Sequence, residues 1–334
     1  MDLVTHLLAA YTLARAARAR MASPEMAVFL LAGLAPNLDW LWHLPAPLSP
    51  IRAYGTSTQS LLGAAILAAA VAIGVWIAAR RRGPAPPLPR LLCAALAAAA
   101  VHVLLDLCAT TGIELYWPFR NVRISWNLID GYDAILLAIL GICALLPVVI
   151  GLVTEEIGAA SDPRPPRAWP AAALALALLY LGGRAMLHQR AEELLANSMY
   201  QGKAARHWAA FPSGVNPLVW RGVVETDSFL AEVEVPLGPG AEFSPENATV
   251  HYKPESSPRE EAAAAAPLAR AYAALARYPS LILTDTAEGA QAQLRELGDS
   301  ILHSRQGGWI AVIDLDPQAK VVRQELYYDA SHLR

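Results

Sequence analysis

His102 and Asp106 stand four residues apart, directly after a stretch from Leu91 to Val101 that carries no charged residue. In a helix that spacing puts an imidazole and a carboxylate on one face, a turn apart, within reach of a shared ion. Thr110 continues the stripe, Gly112 then breaks the helix, and Trp117-Pro118-Phe119 begins a loop. An ionisable pair inside a membrane-type helix is costly and needs a partner, a water-filled cavity or a metal. Two readings stay open on these residues alone. One is a metal or catalytic site; the other is a His–Asp hydrogen bond that locks two helices together.

The chain around them is of membrane type. It has 334 residues, of which 55% are hydrophobic and only 16% charged, and its mean hydropathy is +0.33. That is too apolar for an ordinary soluble protein. A net charge of -3 argues against a nucleic-acid partner. Cys93, Cys108 and Cys143 each lie in an apolar segment without CxxC spacing, and read as small packing residues.

The N-terminus lacks a basic region and is not read as a signal peptide. Residues 2–20 are expected to form a helix with Asp2 and His6 four apart on one face. Ser23-Pro24-Glu25 is expected to start a second, with Ser23 as its N-cap. That helix runs towards Pro36-Asn37-Leu38-Asp39, and Trp40 and Trp42 suit a membrane–water interface. Leu61 to Ala79 is of spanning length and stops at Arg80-Arg81-Arg82. A helix over 91–109 follows, then a loop 110–132 containing Asp130. Ala134 to Val153, with Pro147 as a possible kink, and Trp169 to Leu187 are the last apolar runs.

The arginines at 80–82 and 90 put their loop in the cytoplasm. Counting spans from there places the chain after about residue 190 outside. It also sorts His6, Asp39, His43, His102, Asp106 and Asp130 towards one outer face. Scattered core residues would not sort that way, which favours a metal or catalytic site over helix glue.

Residues 191–334 read as a separate soluble α+β domain, after a helical transmembrane domain over 1–190. Its strands are expected at 228–235, 249–252, 281–283, 309–314 and 321–328, with a strand start near 217–221. An Ala-rich helix over 259–277 is interrupted at Pro267. His207, His251, His303 and His332 are scattered without ligand spacing and read as surface or packing residues. No catalytic constellation is visible in this domain.

Thr5-His6, Pro36-Asn37-Leu38-Asp39, His102-x-x-x-Asp106 and Trp117-Pro118-Phe119 with the later Asp130 together resemble the YdjM-type family of inner-membrane metal-dependent hydrolases. The resemblance covers roughly residues 1–190, and Asn216-Pro217-Leu218-Val219-Trp220-Arg221 looks like the extramembrane domain of the longer members. It implies a bundle of about five to six membrane helices followed by a soluble α+β domain. It also implies a divalent metal held by His6, Asp39, His102 and Asp106. A mixed His/carboxylate set suits Zn, Mn or Fe better than Ca. Such an ion could make hydroxide near neutral pH, with Asp130, or Asp39 if it is not a ligand, as general base. The family's His-Arg-x-x-Thr-His-Ser element is replaced here by Tyr54-Gly55-Thr56-Ser57-Thr58-Gln59-Ser60, so Tyr54 and Gln59 stand where histidines are expected. That departure allows a site with one metal rather than two, a different ion, or no activity.

The first functional expectation is therefore a multi-pass inner-membrane hydrolase of a bacterial envelope, acting on a lipid-derived or periplasmic ester or phosphoester. The alternative is a non-catalytic membrane protein whose outer domain binds a partner or senses the envelope. A transporter or channel ranks last, because no pair of interrupted helices recurs in corresponding halves.

Overall fold

The computed structural model describes residues 1–17, 21–38, 57–156, 168–304 and 307–330. The chain divides into two compact units, Met1–Ala185 and Met186–Arg334.

The first unit is helical: α1 (Leu3–Ala17), α2 (Ser23–Leu34), α3 (Leu61–Arg80), α4 (Leu88–Cys108), α5 (Ala134–Glu156) and the start of α6 (Ala168–Ala196). Among the described residues α3, α4 and α6 are long and apolar enough to cross a membrane; Leu3–Ala17 and Ala134–Leu146 are apolar but shorter. Helix α4 is the central one, with 56% of its apolar window buried against 17% in α3. It packs on α1, α2 and α3. Its sequence explains this: Ala94, Ala95, Ala98 and Ala99 are buried and give a face of small side chains that neighbouring backbones can approach closely.

Helix ends follow local chemistry, with one correction. Asp2 starts α1, its Oδ1 accepting from Thr5 N at 2.8 Å and its Oδ2 from Thr5 Oγ1 at 2.5 Å. Ser60 caps α3, accepting from Gly63 N at 3.0 Å. Ser23, expected as the N-cap of α2, is instead its first residue; Ala22 holds the cap position without a side-chain bond, and Pro24 sets the first turn. The buried Glu25 lies 3.3 Å from Arg90 Nη1.

The second unit is rich in sheet. The small hairpin β1 (Met199–Tyr200) and β2 (Lys203–Ala204) precedes an antiparallel sheet of β3 (His207–Pro212), β4 (Val219–Glu225), β5 (Phe229–Pro236) and β6 (Thr249–Tyr252), in that order. Helices α7 (Pro258–Ala265) and α8 (Pro267–Ala273) come next, divided at Pro267 as the sequence predicts. The other sheet has the order β11-β10-β8-β7, from β7 (Pro279–Thr286), β8 (Gly289–Glu296), β10 (Gly307–Leu315) and β11 (Val321–Asp329), with β9 (His303–Ser304) beside β10. Strand β8 escapes sequence reading because it has none of the β-branched or aromatic residues that mark strands. Its register is set by pairing with β7, and Ala290, Ala292 and Leu294 alternate into the core.

Candidate metal centre

The site is built at the C-terminal end of α4, where unpaired carbonyls must find donors. The 109–132 loop folds back to supply them. Trp126 N donates to Leu107 O at 2.7 Å, Leu128 N and Ile129 N donate to Cys108 O at 2.9 and 3.1 Å, and Ser125 Oγ donates to Ala109 O at 2.6 Å. Gly112 makes the fold-back possible: its φ is +63°, and a Cβ there would lie 2.8 Å from Ile124 O. Arg184, buried in α6, ties the same loop by donating from Nε to Leu128 O at 2.8 Å.

Capping fixes Asp106 in the last turn of α4, where the negative end of the helix dipole opposes a carboxylate. Positive or donor groups must offset that, and the neighbours provide them. Oδ1 of Asp106 lies 2.9 Å from Met1 N and 3.1 Å from His6 Nε2. Oδ2 lies 3.0 Å from His102 Nε2. His6, His102 and Asp106 are each only 1% exposed. The two imidazoles stack, with centroids 3.8 Å apart and planes 15° apart.

Gly33 brings α1, α2 and α4 to this point. A Cβ on Gly33 would lie 2.6 Å from Ala10 Cβ, so glycine is what lets α1 approach α2. Its carbonyl sits 2.7 Å from His102 Nδ1. A carbonyl can only accept, so Nδ1 carries the proton and the lone pair of the neutral ring is at Nε2. That lone pair faces Asp106 Oδ2. The contact lacks hydrogen-bond geometry, and both atoms, like His6 Nδ1, are buried without a hydrogen-bond partner. Two lone pairs this close repel unless a cation lies between them or the ring takes a second proton.

A metal-binding histidine typically donates its other ring N–H to a carbonyl or carboxylate, as His102 does. His6, His102 and Asp106 each offer one ligand atom, all within 4.8 Å of one another. Two imidazoles and a carboxylate leave coordination positions open, as in catalytic zinc sites and non-haem iron sites.

Asp39, His43 and Tyr54 lie outside the described residues. Asp130 lies in the loop after α4, where its Oδ1 accepts from Gly131 N at 2.6 Å; it is not one of the grouped ligands. Gln59 is buried in the turn before α3, which docks on the same loop through Leu61 N donating to Leu115 O at 3.0 Å. Thr110 uses its backbone, donating from N to Ile129 O at 3.1 Å.

Sequence reading passed over Gly33, Arg184 and the Met1 amine. For the first two a signal existed: an isolated glycine in a helical pattern and a single charged residue in an apolar run.

These features define a class, a helical membrane protein with a buried His/His/Asp group at the end of its central helix. The chain belongs to the YdjM inner membrane protein family, whose family model matches residues 1–191. No curated protein and no solved structure matches it.

Proposed function

We propose that this protein is a membrane-bound metal-dependent hydrolase of an ester or phosphoester, with His6, His102 and Asp106 as ligands. One observation carries the reading: His102 Nε2 and Asp106 Oδ2 face each other at 3.0 Å, buried and without a hydrogen bond. A divalent ion there would acidify a water molecule and polarise a phosphoryl or carbonyl oxygen. The chain's own residues would do the rest. Gly33 O fixes the tautomer and plane of His102, stacking on His102 orients His6, and the carbonyl caps of α4 hold Asp106. Asp130 is the candidate general base, with Asp39 as a further ligand or base.

The arginines after α3 support a cytoplasmic loop there. The substrate would then reach the site from the bilayer or the periplasm, with the sheet-rich domain on the periplasmic side. A periplasm-dependent reporter fused after Arg334 tests that orientation and should be active.

The central test is elemental analysis of the full chain purified in detergent without chelator. We expect about one Zn, Mn or Fe per chain, lost in His102→Ala together with hydrolysis of nitrophenyl ester or phosphodiester probes. Normally folded wild-type protein without metal would overturn the site, and a metal-loaded protein inert on both probe classes would overturn the hydrolase.

A further inference from the structure

The sheet-rich unit holds a cavity of about 380 Å³ between the faces of its two larger sheets. Arg221 on β4, Glu232 on β5 and His251 on β6 line one side, and Arg295 on β8 and Trp309 on β10 line the other. Asp299, from the connection after β8, and His303, on β9, close one end. His251 and His303 both line this cavity, a placement that no ligand spacing in the sequence signals.

The polar groups are networked but incompletely satisfied. Arg221 donates from Nη2 to Asp299 Oδ1 and from Nη1 to Leu297 O, both at 2.5 Å. His251 Nε2 lies 3.5 Å from Glu232 Oε1, and His303 Nδ1 lies 3.7 Å from Asp299 Oδ1. Burial alone would raise the Glu232 carboxyl, but a hydrogen bond from His251 and the charges of Arg221, His251 and His303 outweigh it and hold it below its ordinary range. So Glu232 stays ionised. Among the described lining residues, Asp299 Oδ2, on a side chain only 1% exposed, and Arg295 Nε are buried without a hydrogen-bond partner.

We propose that this cavity binds a zwitterionic ligand of the amino-acid or short-peptide class. The two orphans are of opposite sense. Asp299 Oδ2 requires an N–H donor and Arg295 Nε requires an oxygen acceptor, and buried polar atoms of this kind call for partners. One molecule carrying an ammonium or amide N–H and a carboxylate or carbonyl oxygen satisfies both. The volume falls at the small end of ligand pockets. Trp309, Ile310, Ile282 and Leu297 offer an apolar wall for the ligand's body. The residual charge favours the ammonium end: Glu232, Glu296, Asp299 and Asp329 outnumber Arg221 and Arg295 among the lining residues.

The test is calorimetric titration of the full chain in detergent with L-lysine, L-leucine and glycyl-leucine. Pentylamine and pentanoate serve as donor-only and acceptor-only halves. Saturable binding of at least one zwitterion is expected, with each half weaker by about tenfold or more. The free amino acids against the dipeptide tell the two sources apart. Asp299→Asn and Arg295→Gln should each weaken binding by about tenfold or more. Thr249→Trp, which fills the exposed mouth from edge strand β6, should abolish binding in protein of unchanged circular dichroism. His102→Ala should leave binding unaltered. No saturable signal with any zwitterion, equal binding of a half-molecule, or full binding by folded Thr249→Trp would overturn the proposal, leaving a cavity filled by water only.

Discussion

The helical unit and the sheet-rich unit each gather imidazoles around carboxylates, under different dielectric conditions. In the helices the side chains of His6, His102 and Asp106 are 0, 0 and 2% exposed. In the sheet cavity those of His251, Glu232 and His303 are 26, 29 and 21% exposed, and only Asp299, at 1%, is as dry as the helical group. The same chemistry therefore has different consequences. Where water is excluded, an unmatched lone pair or charge is expensive, and removing one partner strands the others. Where water penetrates, screening trims each pair to a small contribution, and the groups are free to serve a ligand.

The sharpest way to break the contrast is Asp106→Asn, which keeps the shape and removes the charge that the Met1 amine and both imidazoles converge on. Thermal unfolding in detergent should show a loss of about 3–5 kcal/mol, together with loss of bound metal. An unchanged melting temperature and metal content would mean that the buried group is no more demanding than the wet one.

Gly33→Ala comes next. Its methyl would lie 2.6 Å from Ala10 Cβ, so α1 and α2 must separate and carry His6 away from His102. We expect about 1–3 kcal/mol of destabilisation from overpacking and metal affinity lower by about tenfold, as for support residues around a metal. Competitive chelator titration measures the second effect. Gly112→Ala should cost about 1–2 kcal/mol, because an L-residue resists its φ of +63°. It should loosen the cap on α4 without touching a ligand.

Smaller effects are expected in the sheets. His251→Ala should change unfolding free energy by less than about 1 kcal/mol, since its partner Glu232 keeps both Arg221 and water. The pH dependence sharpens the point. The folded-state pKa of Glu232 lies below its ordinary value of 4.5, so its contribution is present above about pH 4.5 and is lost as pH falls through the folded value. The stability gap between wild type and Glu232→Gln should therefore narrow on acidification from pH 7 to pH 4. A gap that widened would show that the neighbouring cations do not hold the carboxylate ionised.

Much of the helical unit was legible because its signals are local. Apolar length, the arginines after α3 and the four-residue spacing of His102 and Asp106 each follow from one stretch of chain. In the sheet domain, alternation identified β5, β6, β10 and β11, and proline marked the division between α7 and α8. Strand β8 was illegible because its pairing with β7, not its residue types, makes it a strand. His251 and His303 gave no signal, since they belong to two strands, β6 and β9, of different sheets that only sheet packing brings together.

By itself, then, the sequence determined a chain of apolar helices followed by a sheet-rich domain, and one histidine–aspartate pair a helical turn apart. Periodicity and hydropathy act over neighbouring residues, so they survive in a linear reading. Only the tertiary structure decided that His6 stacks on His102, that Gly33 fixes its tautomer, and that Asp299 and Arg295 face one cavity. Those facts depend on the close approach of segments far apart in the chain, which the geometry of the folded backbone sets.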